Sequence, residues 1–116
     1  AAWERTARER HDEMAAKPYL ENVPVQAIAV GGLCLLALPG EVFSAYGLIL
    51  REEFPTLMTA GYANGNIGYL PSGSAFEDEA DYAARFAPMF YTVFPFAPDV
   101  PRLLLGAARY VLRAIG

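Results

Sequence analysis

Two apolar runs separated by a pair of glycines stand out in the first half of the chain. The runs "VPVQAIAV" and "LCLLAL" flank Gly31 and Gly32, and strand-like runs joined by two glycines are typical of a β-hairpin. The second run is apolar at every position, which predicts a central strand that is covered on both faces. Residues 27–39 together are too short to cross a bilayer. We therefore interpret them as two buried strands and expect no transmembrane segment.

The spacing of apolar residues becomes helical after Pro39 and Gly40. The stretch "EVFSAYGLILREEF" predicts a helix whose apolar face is formed by Val42, Tyr46, Ile49 and Leu50. The next run, "TLMTAGYA", predicts a third strand. The stretch "NGNIGYLPSGS" predicts a loop, because Gly, Asn, Ser and Pro are the residues of turns.

Both ends of the chain have helical patterns. The start, "WERTARERHDEMAAK", predicts a solvated helix that leans on the domain through Trp3. Asp99 and Pro101 predict the start of a final helix, whose apolar stripe is formed by Leu104, Ala108, Val111, Leu112 and Ile115. This order of elements predicts an α/β fold of the mixed α+β kind, with a small sheet of about three or four strands and flanking helices.

Composition and charge narrow the classes of protein. The 116 residues are 54% hydrophobic, which argues against disorder and predicts one domain, or one fragment of a larger domain, over residues 1–116. The net charge of −4 and the lack of a large basic cluster disfavour nucleic-acid binding. The charged start does not resemble a signal peptide, and it lacks an initiator Met. We therefore expect a fragment, and the sequence assigns no cellular compartment.

The nucleophilic and acidic residues suggest little chemistry by themselves. Cys34 lies in an apolar run and is expected to be a buried, inert thiol, because the only histidine, His11, belongs to the charged first helix. The acidic residues between Glu77 and Asp81 lack the alternating spacing and the glycine of a calcium loop. They are expected to form a solvated face.

Glu41 and Tyr69 are the candidates for a site. Glu41 follows the Pro39-Gly40 turn, where it can be an ordinary acid at a helix start or a ligand for a hard cation or zinc. Tyr69 stands in a loop of small residues, where its phenol can pack, bind a ligand through a hydrogen bond, or bind a metal. Physical chemistry alone favours the helix-start role for Glu41 and packing for Tyr69. Ligands of α/β proteins bind beyond the carboxyl ends of strands, which is where these corners are expected.

The motifs taken in order resemble those of the neutral/alkaline non-lysosomal ceramidase family. These motifs are "LPGEVF" followed by a helix, then "GYANGNIGYLPS", then the acidic stretch "DEADY". The resemblance covers roughly residues 23–82 and continues into the final helix. Members of this family are zinc amidohydrolases that cleave the N-acyl bond of ceramide. The resemblance implies that this chain is the C-terminal part of such a catalytic domain.

The resemblance also implies roles for individual residues. Glu41 and Tyr69 match the zinc-binding glutamate and tyrosine of the family, and Tyr82 matches a tyrosine that faces the scissile carbonyl. The other zinc ligands of the family are histidines from earlier in the chain, which His11 does not match. Around Tyr82 the sequence is Asp-Tyr-Ala, where the family has Gly-Gly-Tyr-Glu or Arg-Tyr-Glu.

The expected partners follow from the same resemblance. We expect zinc as the cofactor of the complete protein, a lipid amide as its substrate, and the remainder of the catalytic domain or a homo-oligomer partner against this segment. The isolated chain is expected to be inactive. The alternative is a non-catalytic α/β interaction or dimerisation module, whose aromatic stretch "MFYTVFPF" would cover a partner surface.

Overall fold

The computed structural model describes residues 2–116, and their side chains from Glu4 onward. It has the predicted mixed α+β fold. The helices are α1 (Ala2–Ala16), α2 (Ser44–Glu53), α3 (Gly73–Glu77), α4 (Ala87–Phe90) and α5 (Val100–Ile115), and a π-helix spans Tyr82–Phe86. The strands are β1 (Gln26–Val30), β2 (Leu33–Ala37), β3 (Glu41–Val42), β4 (Leu57–Ala60) and β5 (Tyr69–Leu70). The predicted packing of Trp3 lies outside the described side chains.

The main sheet has the strand order β1-β2-β4. Strands β1 and β2 form the predicted antiparallel hairpin, and Gly31 at its turn has a φ of 59°, a value that glycine adopts without strain. Strand β4 pairs with β2 in parallel, so α2 is the crossover between two parallel neighbours. The predicted hairpin, the central position of β2 and the third strand are confirmed.

The core lies on one face of this sheet. Side chains alternate between the two faces of a strand, and the face that carries Leu36 and Leu57 packs against α2 and α5. The fully or nearly buried side chains of this core are Leu36, Leu38, Tyr46, Leu50, Leu57, Leu70, Leu104, Ala108 and Leu112.

The opposite face of the sheet is uncovered within the described part of the chain. This open sheet face consists of five exposed apolar side chains: Ile28, Val30, Leu33, Leu35 and Met58. Ile28, Leu35 and Met58 form one row across the three strands. The prediction that both strands are buried is therefore wrong for this face, because α2 and α5 both pack against the other one.

A second, two-stranded sheet forms where β2 ends. Strands β3 and β5 are parallel, and Glu41 pairs with Tyr69. The Glu41 N–H donates to Gly68 O at 2.8 Å, and the Phe43 N–H donates to Leu70 O at 3.3 Å. The predicted helix therefore begins only at Ser44, and the helix-start role of Glu41 is wrong, because its backbone is paired in a strand. The predicted loop likewise contains a strand, Tyr69–Leu70.

Three glycines allow the backbones to meet at this point, which we call the glycine corner: Gly40, Gly61 and Gly68. A Cβ on Gly40 would lie 2.5 Å from Gly68 O, and a Cβ on Gly61 would lie 3.0 Å from Gly40 O. Gly68 has a φ of 101°, and a Cβ there would lie 3.0 Å from the Tyr91 ring. Side chains at these positions would separate segments that the hydrogen bonds hold together.

A buried tyrosine ties α2 to the segment after β5. Tyr46 is only 2% exposed, and its hydroxyl donates a hydrogen bond of 2.5 Å to Pro71 O. Burial raises the pKa of Tyr46 to about 12, because a phenolate would lose its hydration. Helix α2 thus fixes the position of the chain directly after Tyr69 and Leu70.

The final helix forms as predicted, with Asp99 at its N-cap and Pro101 in its first turn. Its buried stripe is Leu104, Ala108 and Leu112, whereas Val111 is half-buried and Ile115 is 37% exposed. Arg109 and Arg113 bind Glu53 at the end of α2, at 2.7 and 3.2 Å.

Among residues 2–116, no helix combines the length and the hydrophobicity that crossing a membrane requires.

We expect Gly40→Ala to destabilise the chain by about 1–3 kcal/mol, because the new methyl group would meet a backbone oxygen that cannot move aside. The measurement is the free energy of unfolding in denaturant. Gly106→Ala is the control, since a Cβ at this position of α5 meets nothing within 4 Å. It should stabilise the helix by about 0.5–1 kcal/mol. Equal stability of wild type and Gly40→Ala would contradict the close packing.

Stability should fall at alkaline pH because the Tyr46 pKa is raised from 10.0 to about 12. The folded chain holds this proton more tightly than the unfolded chain, so stability is full below pH 10 and is lost as the pH rises towards 12. Tyr46→Phe should cost about 1–2 kcal/mol at neutral pH, because Pro71 O loses its donor. It should also remove the share of the alkaline loss that is due to Tyr46, which unfolding curves at several pH values would measure. Tyr19→Phe, at a position that is 82% exposed, should change neither quantity.

Candidate functional site

The site candidates gather beyond the carboxyl ends of β2 and β4. These strands are parallel, so their ends meet at one edge of the sheet, and a glycine followed by a residue with a polar group lies within a few residues of each end. Gly40 precedes Glu41, and Gly61 precedes Tyr62. The Tyr62 N–H donates to Gly40 O at 2.9 Å. Glu41 and Tyr62 therefore both lie just beyond the carboxyl ends of the parallel strands.

Glu41 and Tyr69 are brought side by side. They are direct partners in the β3–β5 pair, so their side chains leave the small sheet on the same face. Glu41 Oε1 accepts a hydrogen bond of 2.6 Å from the Tyr62 hydroxyl. Glu41 Oε2 is buried and has no hydrogen-bond partner among the described residues.

The electrostatics of the site are those of one carboxylate among phenols. A hydrogen bond to Glu41 is the main cause that raises the pKa of Tyr62 to about 12, and interaction with the same carboxylate raises the pKa of Tyr69. Within residues 4–116, Glu41 forms no ion pair with a basic side chain. The negative charge therefore has a neutral donor on one oxygen and nothing on the other.

Tyr82 joins the same group from a different segment. Its ring meets Tyr69 edge to face, with centroids 5.8 Å apart and planes at 82°, and Tyr82 is 54% exposed. It is the first residue of the π-helix, whose start is capped by Asp81 Oδ1 accepting from the Ala84 N–H at 2.8 Å. Short π-helical turns occur frequently at functional sites. All three predicted site residues, Glu41, Tyr69 and Tyr82, thus lie in one cluster.

Two further tyrosines of this cluster, Tyr62 and Tyr91, were not among the residues predicted from the sequence. Tyr62 binds the carboxylate directly, and the Tyr91 ring packs against Gly68. The Asn66 amide donates to the Tyr91 hydroxyl at 3.4 Å, and Asn66 Oδ1 accepts from the Gly68 N–H at 3.0 Å. The matching glycine-polar pairs after two parallel strands were a signal for Tyr62. No local pattern marks Tyr91, which the fold alone brings to the corner.

The remaining sequence candidates lie elsewhere or serve local structure. His11 is beside Asp12 and meets the Phe94 ring edge to face, in the exposed helix that was predicted. Glu77, Asp78 and Glu79 are exposed as predicted, whereas Asp81 is half-buried and caps the π-helix. Cys34, predicted to be buried, is only half-buried.

The cluster offers oxygen atoms that could bind a cation, but too few of them for a complete metal site. The buried, unpartnered oxygen of Glu41 and the adjacent Tyr69 phenol are hard oxygen donors, and carboxylate oxygen is a common zinc ligand. No group of three or more His, Cys, Asp or Glu side chains able to hold a metal occurs in the described residues. A catalytic zinc site takes three protein ligands, so these residues would form part of such a site and not the whole.

Comparison of this chain with protein-family models, with curated proteins and with solved structures finds no match.

Proposed function

We propose that this chain is the C-terminal segment of a zinc-dependent amidohydrolase that resembles the neutral/alkaline ceramidases. In this proposal Glu41 and Tyr69 bind the metal, and Tyr82 acts on the substrate. The reaction is the hydrolysis of the N-acyl amide of a ceramide-like lipid. The resemblance of the ordered motifs suggests the reaction, and the geometry of the glycine corner supports it.

The observation that carries the proposal is the buried oxygen of Glu41. An unpartnered carboxylate oxygen is costly to bury, and Glu41 Oε2 has no hydrogen-bond donor among the described residues. A cation bound at this oxygen would remove that cost. The Tyr69 phenol lies beside it as a second oxygen donor, whereas a merely structural acid would be expected to have a donor on each oxygen.

In this proposal, Glu41 and Tyr69 serve the metal and Tyr82 serves the substrate. A bound zinc ion would supply Lewis acidity, which lowers the pKa of a water molecule and polarises an amide carbonyl. Glu41 and Tyr69 would hold the ion on a rigid backbone. The Tyr82 hydroxyl would donate a hydrogen bond to the oxygen on which negative charge develops. Its 54% exposure leaves room for a substrate, and its edge-to-face contact with Tyr69 orients the ring.

The proposal requires the remainder of the catalytic domain. Glu41 and Tyr69 are two ligands, so the others, histidines in the resembling family, would come from outside these 116 residues. The open sheet face fits the same requirement, because five exposed apolar side chains on one face are what a severed domain contact would leave. In this proposal the isolated chain binds zinc weakly or not at all and does not hydrolyse amides.

In the complete protein, Glu41→Gln should remove both the bound zinc and the hydrolysis, because an amide is neutral and a poor zinc ligand. Elemental analysis would measure the metal, and release of fatty acid from a ceramide would measure activity. Full retention of zinc and activity in Glu41→Gln would overturn the proposal.

Two further variants separate the proposed roles. Tyr82→Phe should keep the zinc and lower kcat by about 10²–10³, the usual cost of losing one donor to an oxyanion. Glu79→Gln is the matched control, since it makes the same chemical change at an exposed position of the acidic stretch. It should leave both metal and activity unchanged.

The second candidate function is an interaction or dimerisation module, and the open sheet face favours it. The aromatic stretch predicted to form the interface contributes less, because Phe90 is 66% exposed whereas Met89 is buried and Phe94 is half-buried. The sheet exposes five apolar side chains on one face, with Ile28, Leu35 and Met58 in one row. A second copy of the chain would pack on it sheet against sheet.

For this second candidate, Met58→Glu should abolish self-association, because a charge would be buried against an apolar face. Sedimentation of the chain with and without added zinc would measure it. Phe90→Asp, on the aromatic stretch, should have the smaller effect. A wild-type chain that is monomeric at all concentrations would exclude the dimerisation module.

A further inference from the structure

We infer that Tyr62 is a positioning residue for Glu41: its hydroxyl occupies one carboxylate oxygen and aims the other at the ligand. This inference rests on the proposed function, because the ligand concerned is the zinc ion of that proposal. Neither the motif resemblance nor the sequence pattern assigns a role to Tyr62. The inference comes from two hydrogen bonds of Tyr62, one to the Gly40 backbone and one to the Glu41 side chain.

The first contact fixes the carboxylate. The Tyr62 hydroxyl donates to Glu41 Oε1 at 2.6 Å, which is within the range of strong hydrogen bonds to a carboxylate. A free carboxylate can rotate and exchange its oxygens. With Oε1 held by the phenol, Oε2 is the oxygen that remains, and it is buried without a partner among the described residues. In this inference, Oε1 anchors the carboxylate and Oε2 is the oxygen that binds the ligand.

The second contact fixes Tyr62 itself. Its N–H donates to Gly40 O at 2.9 Å, and the next residue, Ala63, donates to Leu38 O at 3.0 Å. Tyr62 therefore binds the backbone before Glu41 and the side chain of Glu41 at the same time. Because of these two attachments, the ends of the strands hold the Tyr62 hydroxyl in place.

The backbone at Tyr62 is held in a conformation that side chains rarely adopt. Its φ is 52°, and Asn64 nearby has a φ of 63°. Asn tolerates this left-handed region, whereas for tyrosine it is strained. Strained residues persist where the surrounding contacts require them, and they cluster at functional sites. Tyr62 holds this conformation while its hydroxyl donates to Glu41 Oε1.

The contact that Tyr62 makes with Glu41 depends on its hydroxyl and not on the packing of its ring. Tyr62 is 62% exposed, so the ring covers little of the core. Tyr62→Phe would keep the ring and remove only the hydroxyl. The variant should therefore fold as the wild type does, which makes the role of the hydroxyl testable.

The test is the zinc affinity of the complete protein, measured by competition with a chelator. Tyr62→Phe should weaken zinc binding about 10- to 100-fold, which is the usual effect of losing an outer partner of a metal ligand. Tyr110→Phe is the matched control, because Tyr110 is 77% exposed on α5 and should leave the affinity unchanged. The metal-free protein should remain folded in both variants, because the Tyr62–Glu41 hydrogen bond is exposed, and a thermal unfolding curve would check this.

A spectroscopic readout separates positioning from a general structural effect. With cobalt(II) in place of zinc, the visible absorption bands report the coordination geometry. They should shift in Tyr62→Phe, because Oε1 becomes free to bind, and they should not shift in Tyr110→Phe. Unchanged affinity and unchanged bands in Tyr62→Phe would overturn this inference and leave the proposed function standing. A wild-type protein that binds no zinc would overturn both.

Discussion

The contact between the backbones at Gly40 and Gly68 is the constraint on which the rest of the corner depends. Because no Cβ separates them, the Glu41 N–H reaches Gly68 O at 2.8 Å. This bond starts the β3–β5 pair, which sets Glu41 beside Tyr69. The Tyr46–Pro71 hydrogen bond then holds the far end of β5 against α2. A side chain at Gly40 would therefore disturb the candidate site and the core together.

The same constraint explains why an acid can be partly buried here. Its backbone is paired, its Oε1 has the Tyr62 phenol, and only Oε2 is left without a partner among the residues described. Most buried polar groups in native proteins have a hydrogen-bond partner. A buried carboxylate oxygen without one lowers the stability of the fold. The proposed ligand site rests on this oxygen of Glu41.

Much of the fold could be predicted because it depends on local patterns. The Gly31–Gly32 turn and its flanking runs predicted the hairpin, and the spacing of Leu104, Ala108 and Leu112 predicted α5. The start of α2 was predicted too early, and β5 was missed. Both errors concern strands of two residues, Glu41–Val42 and Tyr69–Leu70, which exist only because each pairs with the other. No periodicity can be read from two residues.

The amino-acid order by itself determined the hairpin, the crossover helix, the final helix and the corner that ends in "LPGE", because turns, apolar periods and caps act over a few neighbouring residues. It also supplied Glu41, Tyr69 and Tyr82 as candidates through the resemblance. Only the tertiary structure decided that Glu41 is a strand residue and that Tyr62 binds one of its oxygens. These contacts join residues about twenty or more positions apart, and a long-range pair is set by how the strands pack, which no local pattern records.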